Sequence, residues 1–260
     1  MQIRLDGKVA LVTGATQGVG ATIAEAAARS GAAGLLLTGR DPARGAAMAE
    51  RIRALLPDTH FLPADLAEPD APARIVEHCL DRFGRIDLLV NAAGLTDRAS
   101  VVDADIDVWS KLFDVNARAP FFLMQAAIRA MRDRGAGGSI VNILSMNAHC
   151  GTPELAVYSA TKGALATLTR NAANAHRADR IRVNGINMGW VATDGEKVMQ
   201  AETLGLGDDW IEKANASQPF GRLVTVEEVA NLAIFLLSDA SGPMTGALVD
   251  QEQWVVGAAR

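Results

Sequence analysis

The first thirty residues contain a strand, a glycine-rich turn and a helix in direct succession. Val9–Thr13 is an apolar run with the length of a buried strand, and an alanine-rich helix is predicted over residues 21–30. The turn 14–20 between them has the spacing Gly-x-x-x-Gly-x-Gly, not the commoner Gly-x-Gly-x-x-Gly. Glycines allow the backbone to turn sharply and to approach a pyrophosphate, which lies at the helix N-terminus. A simple tight loop is the alternative, but the position between strand and helix favours nucleotide binding.

Strands and helices alternate along the rest of the chain. Apolar runs predict further strands at 34–38, 60–64, 86–90, 138–144, 181–187 and 246–250. Helical patterns separate them, and Thr225 with Glu228 forms a predicted capping box. This order predicts an α/β fold, a single Rossmann-type doubly wound parallel sheet of about seven strands with helices on both faces. Residues 1–260 are expected to form one domain, with 190–220 as a small helical lid. The binding crevice is expected at the carboxyl ends of the strands.

Composition argues against several classes of function. The 260 residues are 49% hydrophobic and carry a formal charge of -5 with a pI near 5.4. Such a charge disfavours partners that are nucleic acids or anionic membranes. Cys79 and Cys150 are in no metal or redox spacing and the histidines lack evident partners, so no metal site is predicted. Residues 1–8 do not resemble a signal peptide and no run approaches a membrane span, so a cytoplasmic location is expected.

A tyrosine and a lysine four residues apart form a candidate acid–base pair. Tyr158 and Lys162 share one face of a helix predicted over 155–170, and Ser145 stands where the strand 138–144 ends. Lowering the pKa of a phenol by about three units requires about 4 kcal/mol, which an ammonium about 4 Å away supplies at a dielectric near 20. Tyr158 is thus a candidate acid or base, and Ser145 is a candidate ligand of a substrate oxygen. For an isolated pair, a packed tyrosine and a solvated lysine are the commoner outcome, so other motifs must agree.

The end of the second strand bears on which dinucleotide binds. An acidic residue about twenty positions after the glycines binds the ribose of NAD, whereas an arginine suits the 2′-phosphate of NADP. Both occur here, as Arg40 and Asp41. Because Asp41 precedes Pro42, it is predicted to cap a helix, which leaves Arg40 for the phosphate. The sequence therefore favours NADP, and NAD remains possible.

Three further stretches bear on the site, and two of them allow two interpretations. Asp65 follows the third strand, where it could contact an adenine or cap the next helix. Residues 91–94, Asn-Ala-Ala-Gly, form a small-residue turn beside which a flat cofactor could lie. Asn116 falls within a long helix predicted over 108–134, a position unfavourable for asparagine. A side-chain role for Asn116 is one interpretation, and solvent exposure is the commoner one.

Together these motifs resemble the short-chain dehydrogenase/reductase family over essentially the whole length. The matching residues are the turn 13–20, Asp65, Asn91-Ala-Ala-Gly94, Asn116, Ser145 and Tyr158-Ser-Ala-Thr-Lys162. The resemblance implies that Tyr158 transfers the proton to or from the substrate oxygen and that Ser145 orients this oxygen. It also implies that Lys162 lowers the pKa of the tyrosine and binds the nicotinamide ribose, while Asn116 holds a water of the proton relay.

The resemblance further implies a cofactor site and an oligomer. The assembly would be a homotetramer or homodimer built on the two long helices that carry Asn116 and Tyr158. Besides Tyr158 and Lys162, the expected cofactor-binding residues are Gly14, Thr16, Gln17, Gly18, Val19, Gly20, Arg40, Asp65, Leu66, Asn91, Ala92, Ala93, Gly94, Gly189, Val191 and Thr193.

Two departures from the family pattern border the expected pocket or interface. The usual Pro-Gly after the sixth strand is Met188-Gly189 here, and the usual Asp-Gly-Gly near the C-terminus is Asp250-Gln-Glu. The apolar tail 254–259 is expected to be buried in a subunit interface. Because of these departures, a substrate cannot be transferred by analogy.

The candidate substrate-binding residues are Thr96, Met146, His149, Glu154, Trp190 and Glu196. Their polar character favours a hydroxylated small-molecule substrate, such as a sugar or polyol, over a fatty acyl chain or steroid. His149 could equally be a loop residue without a ligand, and Glu154 a charge at a helix start.

The expected activity is NAD(P)-dependent interconversion of a secondary alcohol, or a sugar hemiacetal, and its carbonyl compound. A ketoacyl or steroid reductase of the same family and a silent dinucleotide-binding regulator are the alternatives. The intact set of Asn116, Ser145, Tyr158 and Lys162 disfavours the regulator, because a sensor needs no proton donor.

Overall fold

Parallel strands form one continuous sheet in the computed structural model, which describes residues 3–207 and 209–258. Within these residues the strands are β1 Val9–Thr13, β2 Gly34–Gly39, β3 Thr59–Pro63, β4 Leu88–Asn91, β5 Gly138–Ile143, β6 Ile181–Met188 and β7 Leu248–Gln251. Their order across the sheet is β3-β2-β1-β4-β5-β6-β7. The first three strands extend the sheet to one side and the later strands extend it to the other. The strand order therefore reverses at β1, which pairs with β2 on one side and β4 on the other. A ligand crevice is expected at the carboxyl end of such a point.

Helices cover both faces of the sheet. In the described residues they are α1 Gly18–Arg29, α2 Pro42–Arg53, α3 Ala71–Phe83, α4 Ile106–Phe113, α5 Ala119–Arg134, α6 Ala156–His176, α7 Asp194–Lys197, α8 Trp210–Ala216 and α9 Val226–Leu237. Residues of α1, α2 and α9 share one hydrophobic core, and residues of α3, α5 and α6 share the core of the opposite face. The predicted doubly wound α/β fold is confirmed.

The strand β2 illustrates why the central strands are continuous apolar runs. Leu35, Leu36 and Leu37 are all fully buried. Because successive side chains of a strand point to opposite faces, Leu35 and Leu37 join the core beside α1, while Leu36 joins the core beside α3. A parallel sheet with helices on both faces leaves no solvent-facing side for alternating polar residues.

The long helix predicted over 108–134 is interrupted. Its first part is α4 and its second part is α5, and a π-helical turn, Asp114–Arg118, joins them. Pro120 lies in the first turn of α5. A proline has no N–H to donate to the carbonyl four residues earlier, so the regular hydrogen-bond ladder fails at this point. The predicted long helix with Asn116 inside it is therefore present over 106–134, and it contains a π-helical turn.

Other boundaries differ by a few residues. The helix predicted to end at 170 continues to His176, and the last strand begins at Leu248 instead of 246. Gly246 has a φ of +75°, so the backbone there is not extended and the strand starts later. The capping box of α9 is present: Thr225 Oγ1 accepts from the Glu228 N–H at 3.2 Å, and Glu228 Oε2 accepts from the Thr225 N–H at 2.9 Å.

The segment 190–220 contains α7, a π-helical turn Val198–Thr203 and α8. Trp210 of α8 is buried against Ala214 and Leu223, and its ring centroid lies 6.4 Å from that of Trp190. This small apolar cluster holds the segment to the end of β6. No helix in the described part of the chain is long and apolar enough to cross a membrane.

Candidate active site

A cleft of about 1220 Å³ opens at the carboxyl ends of the strands, at the reversal of the sheet order. Its walls come from the turns after β1, β2, β3 and β4, the loop 145–155, the segment 188–200 and the C-terminal residues 252–258. Every residue predicted to bind cofactor or substrate lines this cleft, except Asn91 and Lys162. Segments far apart in sequence therefore meet in one site.

The turn after β1 packs directly against the turn after β4. Gly14 has a φ of +65°, and a Cβ built on it would lie 2.7 Å from Cα of Ala93, closer than real Cβ atoms approach. The Thr13 hydroxyl oxygen accepts from the N–H groups of Ala92 at 3.1 Å and Ala93 at 3.2 Å. A Cβ on Gly20 would lie 2.4 Å from the Gly14 carbonyl oxygen. The first and third glycines of the motif are thus required by close packing.

The N-terminus of α1 is left open toward the cleft. Gln17 precedes the helix in extended backbone, and no side chain caps the helix or places a carboxylate in its first turn. The N–H groups of a first helical turn have no intrahelical acceptor. Residues 16–20 line the cleft, so these donors and the positive end of the helix dipole are available to an anion. A dinucleotide pyrophosphate fits this surface.

The end of β2 separates the two candidate cofactor residues. Asp41 caps α2, as predicted: its Oδ1 accepts from the Arg44 N–H at 2.9 Å, and its Oδ2 pairs with Arg44 Nε at 2.6 Å. These hydrogen bonds lower the pKa of the Asp41 carboxyl. Arg40 is exposed and lines the cleft. Thr38 also lines it, and its buried hydroxyl has no partner within the described residues.

The turns after β3 and β4 differ from the simplest sequence interpretation. Asp65 lines the cleft and accepts from the Ala67 N–H at 2.9 Å, so it shapes the turn and does not cap α3. Asn91 is the last residue of β4, and its amide donates to Asn142 Oδ1 at 2.8 Å within the sheet. The strand therefore extends one residue further than predicted, and the part of the turn that lines the cleft begins at Ala92.

Tyr158 and Ser145 meet at the floor of the cleft. Tyr158 is in the first turn of α6, and its side chain is buried. Ser145 follows β5 and begins a short 3-10 turn, where its hydroxyl oxygen accepts from the Asn147 N–H at 3.2 Å. The Ser145 hydroxyl is close enough to the Tyr158 phenol to lower its pKa. Both residues line the cleft, so their hydroxyl groups can hydrogen-bond one carbonyl or carbinol oxygen there.

Lys162 and Asn116 lie directly beneath the cleft. Lys162 Nζ donates to the Ile143 carbonyl oxygen at 2.8 Å and is 5.7 Å from the ring centroid of Tyr158. A Cβ on Gly94 would lie 3.5 Å from Lys162 Nζ and 3.6 Å from Asn116 Oδ1. Gly94 lines the cleft, and because it has no side chain, Lys162 Nζ and Asn116 Oδ1 lie close beneath the cleft surface.

Asn116 is fully buried in the π-helical turn, so the expectation of solvent exposure was wrong. Its Oδ1 accepts from the Leu95 N–H at 2.8 Å, and its Nδ2 donates to the Leu95 carbonyl at 2.8 Å and to Thr161 Oγ1 at 3.1 Å. The side chain thus ties the segment after β4 to α6. Such π-helical insertions are frequent at functional sites.

Burial dominates the titration of both members of the tyrosine–lysine pair. Burial raises the pKa of Tyr158 to about 12, while the hydrogen bond from Ser145 lowers it and the charge of Glu196 raises it. Burial lowers the pKa of Lys162 to about 8. In the protein without cofactor the phenol pKa is therefore raised and not lowered, because desolvation is the largest influence on it.

The predicted substrate residues lie around the other half of the cleft: Thr96, Met146, His149, Glu154, Trp190 and Glu196. His149 Nε2 lies 2.9 Å from Asp250 Oδ1, and Asn187 Nδ2 donates to the same oxygen at 2.7 Å. Contrary to the expectation that the histidines are isolated, His149 is held by a carboxylate far away in sequence. Asp250 belongs to the C-terminal segment that departs from the family pattern.

Glu196 is held by a second set of hydrogen bonds. Its Oε1 accepts from Trp190 Nε1 at 2.7 Å and from Gln200 Nε2 at 2.6 Å. Thr193 caps the N-terminus of α7, which carries Glu196: its hydroxyl accepts from the Glu196 N–H at 3.1 Å. The negative charge of this carboxylate raises the pKa of Tyr158.

Sequence reasoning missed several residues that line the cleft. Thr38 and Arg98 were not proposed, and neither were Gln200 and Glu252. Thr38 had a signal, because it is the polar end of an otherwise apolar strand. Glu252 had one as well, because it ends the Asp250-Gln-Glu departure from the family pattern. Its contact was not predicted: a Cβ built on Gly189 would lie 2.4 Å from Glu252 Oε2, which joins two remote segments.

Comparison with known proteins agrees with this geometry. A family model described as enoyl-(acyl carrier protein) reductase matches residues 14–251. The chain is 34% identical to the short-chain dehydrogenase/reductase FrzI of Cladobotryum sp., covering 94% of this chain and 93% of that protein. The chain belongs to the short-chain dehydrogenase/reductase family. As a short-chain dehydrogenase/reductase, it is an enzyme of the oxidoreductase class.

Two further relatives have names that identify their reactions. Sorbitol dehydrogenase of Cereibacter sphaeroides is 36% identical, over 90% of this chain and 91% of that protein. The structure of L-sorbose reductase from Gluconobacter frateurii, complexed with NADPH and L-sorbose, superposes with a TM-score of 0.93 and 27% identity, covering 100% of both chains.

Proposed function

We propose that this short-chain dehydrogenase/reductase interconverts a secondary alcohol, or a sugar hemiacetal, and its carbonyl compound, with a sugar or polyol as substrate. The observation that carries the proposal is the meeting of the Ser145 and Tyr158 hydroxyls at the floor of a cleft that also contains the open N-terminus of α1. One end of the cleft suits a pyrophosphate, and the other presents hydroxyl groups to a substrate oxygen.

The proposed chemistry assigns a role to each polar group at the floor. In reduction the Tyr158 phenol donates its proton to the substrate carbonyl oxygen, and in oxidation the phenolate accepts the hydroxyl proton. Ser145 holds the same oxygen. Lys162 binds the ribose next to the reacting ring, and Asn116 holds a water through which the proton reaches solvent. A bound nicotinamide dinucleotide supplies or accepts the hydride.

NADP is the proposed cofactor, with NAD as a weaker alternative. Asp41 already accepts two hydrogen bonds from Arg44, so its carboxylate is occupied, whereas Arg40 is exposed within the cleft. A guanidinium in this position suits a 2′-phosphate. The NADPH in the name of the related L-sorbose reductase structure supports the same choice.

Arg40→Ala tests the cofactor preference. Loss of one charge-assisted hydrogen bond to the 2′-phosphate should raise the dissociation constant of NADPH about tenfold. The dissociation constant of NADH should change by less than about twofold, since NADH has no 2′-phosphate. Arg29→Ala is the matched control, because Arg29 is exposed at the far end of α1 and pairs with Glu25. Equal losses for both cofactors would contradict the preference.

A substrate panel tests the reaction. Reduced-cofactor absorbance is followed with sugars, polyols, hydroxysteroids and ketoacyl thioesters, in both directions. Turnover of polyols or sugars is expected, since the names of the sorbitol and sorbose relatives and the polar side chains His149, Glu154 and Glu196 in the cleft support it. Turnover confined to the thioesters would favour an acyl reductase, which the description of the matching family model also names.

A lid and an oligomer complete the proposal. We infer that the single domain closes over its substrate through residues 190–220, which contribute Trp190, Glu196 and Gln200 to the cleft.

Exposed aromatic side chains on α4 and α5, Trp109, Phe121 and Phe122, support a homotetramer or homodimer formed through these helices. Light scattering after size-exclusion chromatography measures the assembly. The free thiols of Cys79 and Cys150 suit a cytoplasmic location.

A further inference from the structure

We propose that Glu196 sets the charge class of the substrate: it accepts a hydrogen bond from a hydroxyl of a neutral polyol beside Tyr158 and rejects sugar acids. This inference rests on the proposed function and specifies which polyhydroxylated compounds the site accepts. Neither the family resemblance nor the names of the relatives assign such a role to this position.

The orientation of the Glu196 carboxylate is fixed by its neighbours. Trp190 and Gln200 both donate to Oε1, and Gln200 is itself buried. In the described part of the chain, no residue donates a hydrogen bond to Oε2. A carboxylate oxygen without a donor, in a cleft lined by the same residue, is suited to accept a substrate O–H. The other oxygen keeps the group in place.

The position of Glu196 relative to the reacting groups gives its charge an effect on substrate choice. Glu196 and Tyr158 line the same cleft, and the carboxylate is near enough to raise the pKa of the phenol. A substrate carboxylate bound with its carbinol at Tyr158 would lie close to this fixed negative charge. Like charges in a partly buried site repel each other and are poorly screened.

The remaining charges of the substrate half do not cancel this effect. Arg98 is exposed at the rim, and the adjoining segment carries Glu154, with Ala99 N–H donating to the Glu154 carbonyl at 2.8 Å. Glu252 is half-buried beside Gly189. His149 is paired with Asp250. Among the described residues, three carboxylates, Glu154, Glu196 and Glu252, and one guanidinium, Arg98, line the substrate half, so this lining is acidic. The ammonium of Lys162 lies beneath the cleft, where it donates to the Ile143 carbonyl oxygen at 2.8 Å.

A charge series on the wild-type enzyme tests the proposal without any substitution. Gluconate, sorbitol and glucamine share a six-carbon polyhydroxylated chain and are anionic, neutral and cationic at neutral pH. We expect kcat/KM for oxidation of sorbitol to exceed that of gluconate by at least about tenfold, with glucamine not discriminated against. A preference for gluconate over sorbitol would overturn the inference.

Glu196→Gln assigns the effect to this residue. Glutamine keeps an Oε1 acceptor for Trp190 and removes the charge, so kcat/KM for gluconate relative to sorbitol should rise about tenfold, chiefly through KM. Glu196→Asp keeps the charge and should keep the discrimination. Glu202→Gln is the matched control, because Glu202 is exposed in the neighbouring π-helical turn and does not line the cleft.

The outcomes separate the two proposals. A gain of activity toward an anion cannot result from a merely structural defect, so it supports the role of the Glu196 charge. Sorbitol turnover with an unchanged gluconate ratio in Glu196→Gln would overturn the inference and leave the proposed function intact. If the wild-type enzyme oxidised none of the three compounds but reduced ketoacyl thioesters, the proposed function would fail and the inference with it.

Discussion

The two halves of the cleft are built in different ways. The cofactor half is formed largely by backbone: Gly14 against Ala93, the open N-terminus of α1, and Gly94 above Lys162. The substrate half is formed by side chains held by partners remote in sequence, such as His149 by Asp250. A backbone surface depends on small residues at fixed spacings along the chain, whereas a side-chain surface depends on which loops meet. The small residues of the first can be recognised in the sequence, whereas the contacts between loops in the second cannot.

The largest expected effect arises where the two halves meet, at Tyr158. Tyr158→Phe removes the hydroxyl that Ser145 contacts and keeps the buried ring. We expect turnover to fall by about 10³-fold, in the range of a lost general acid, while the cofactor dissociation constant stays within about twofold. Single-turnover rates and fluorescence titration with NADPH measure the two quantities. Turnover comparable to that of the wild type would remove the tyrosine from the mechanism.

One added methyl group in the cofactor half should weaken cofactor binding strongly. Gly14→Ala places a Cβ against Ala93 in a backbone of positive φ, so the turn must move away from the cleft. We expect cofactor affinity to fall by about 100-fold. Gly84→Ala is the matched control: Gly84 has a φ of +69° but no atom within 4 Å of a built Cβ.

The Gly84 control separates strain from close packing. It should lower the free energy of unfolding by about 1 kcal/mol and leave the cofactor dissociation constant unchanged. If Gly84→Ala and Gly14→Ala weakened cofactor binding equally, conformational strain alone would explain the loss, and the backbone contact at Ala93 would have no special part.

These differences explain how much could be predicted from the sequence. The sheet, the glycine turn and the cap at Asp41 follow from short spacings and were predicted. The hydrogen bonds of Asn116 were not, because they depend on the π-helical turn and on the remote residues Leu95 and Thr161. The raised pKa of Tyr158 was also missed, since desolvation depends on the packing of the whole cleft floor.

The Asn116 side chain connects the segment after β4 to α6, so its removal should first lower the free energy of unfolding. In Asn116→Ala, the part-buried N–H and carbonyl of Leu95 both lose the Asn116 side chain as a partner. Unsatisfied buried groups of this kind predict a loss of about 2 kcal/mol in the free energy of unfolding. Urea unfolding measures it. Asn174→Ala, at an exposed position on α6, should change stability by less than about 0.5 kcal/mol. Because alanine is the better helix former, an equal loss there would show that the effect is not specific to the Leu95 contacts.

The smallest effect is a shift in the titration of Tyr158, which both halves influence. Tyr158 is the single tyrosine of the chain, so tyrosinate absorbance or NMR of labelled tyrosine reports it alone. Without cofactor, its pKa should lie near 12, above the ordinary value of 10. The Ser145 hydrogen bond favours the phenolate and the Glu196 charge disfavours it. Ser145→Ala should therefore raise the pKa, and Glu196→Gln should lower it.

The same signs apply to the pH dependence of catalysis. Oxidation requires the phenolate, so its rate should rise with pH toward the pKa of Tyr158, and Glu196→Gln should move this rise to lower pH. Glu202→Gln serves as the control for general surface charge. A wild-type pKa at or below 10 in the absence of cofactor would mean that burial does not control the phenol, and the proton donor would then depend on Lys162 more than on packing.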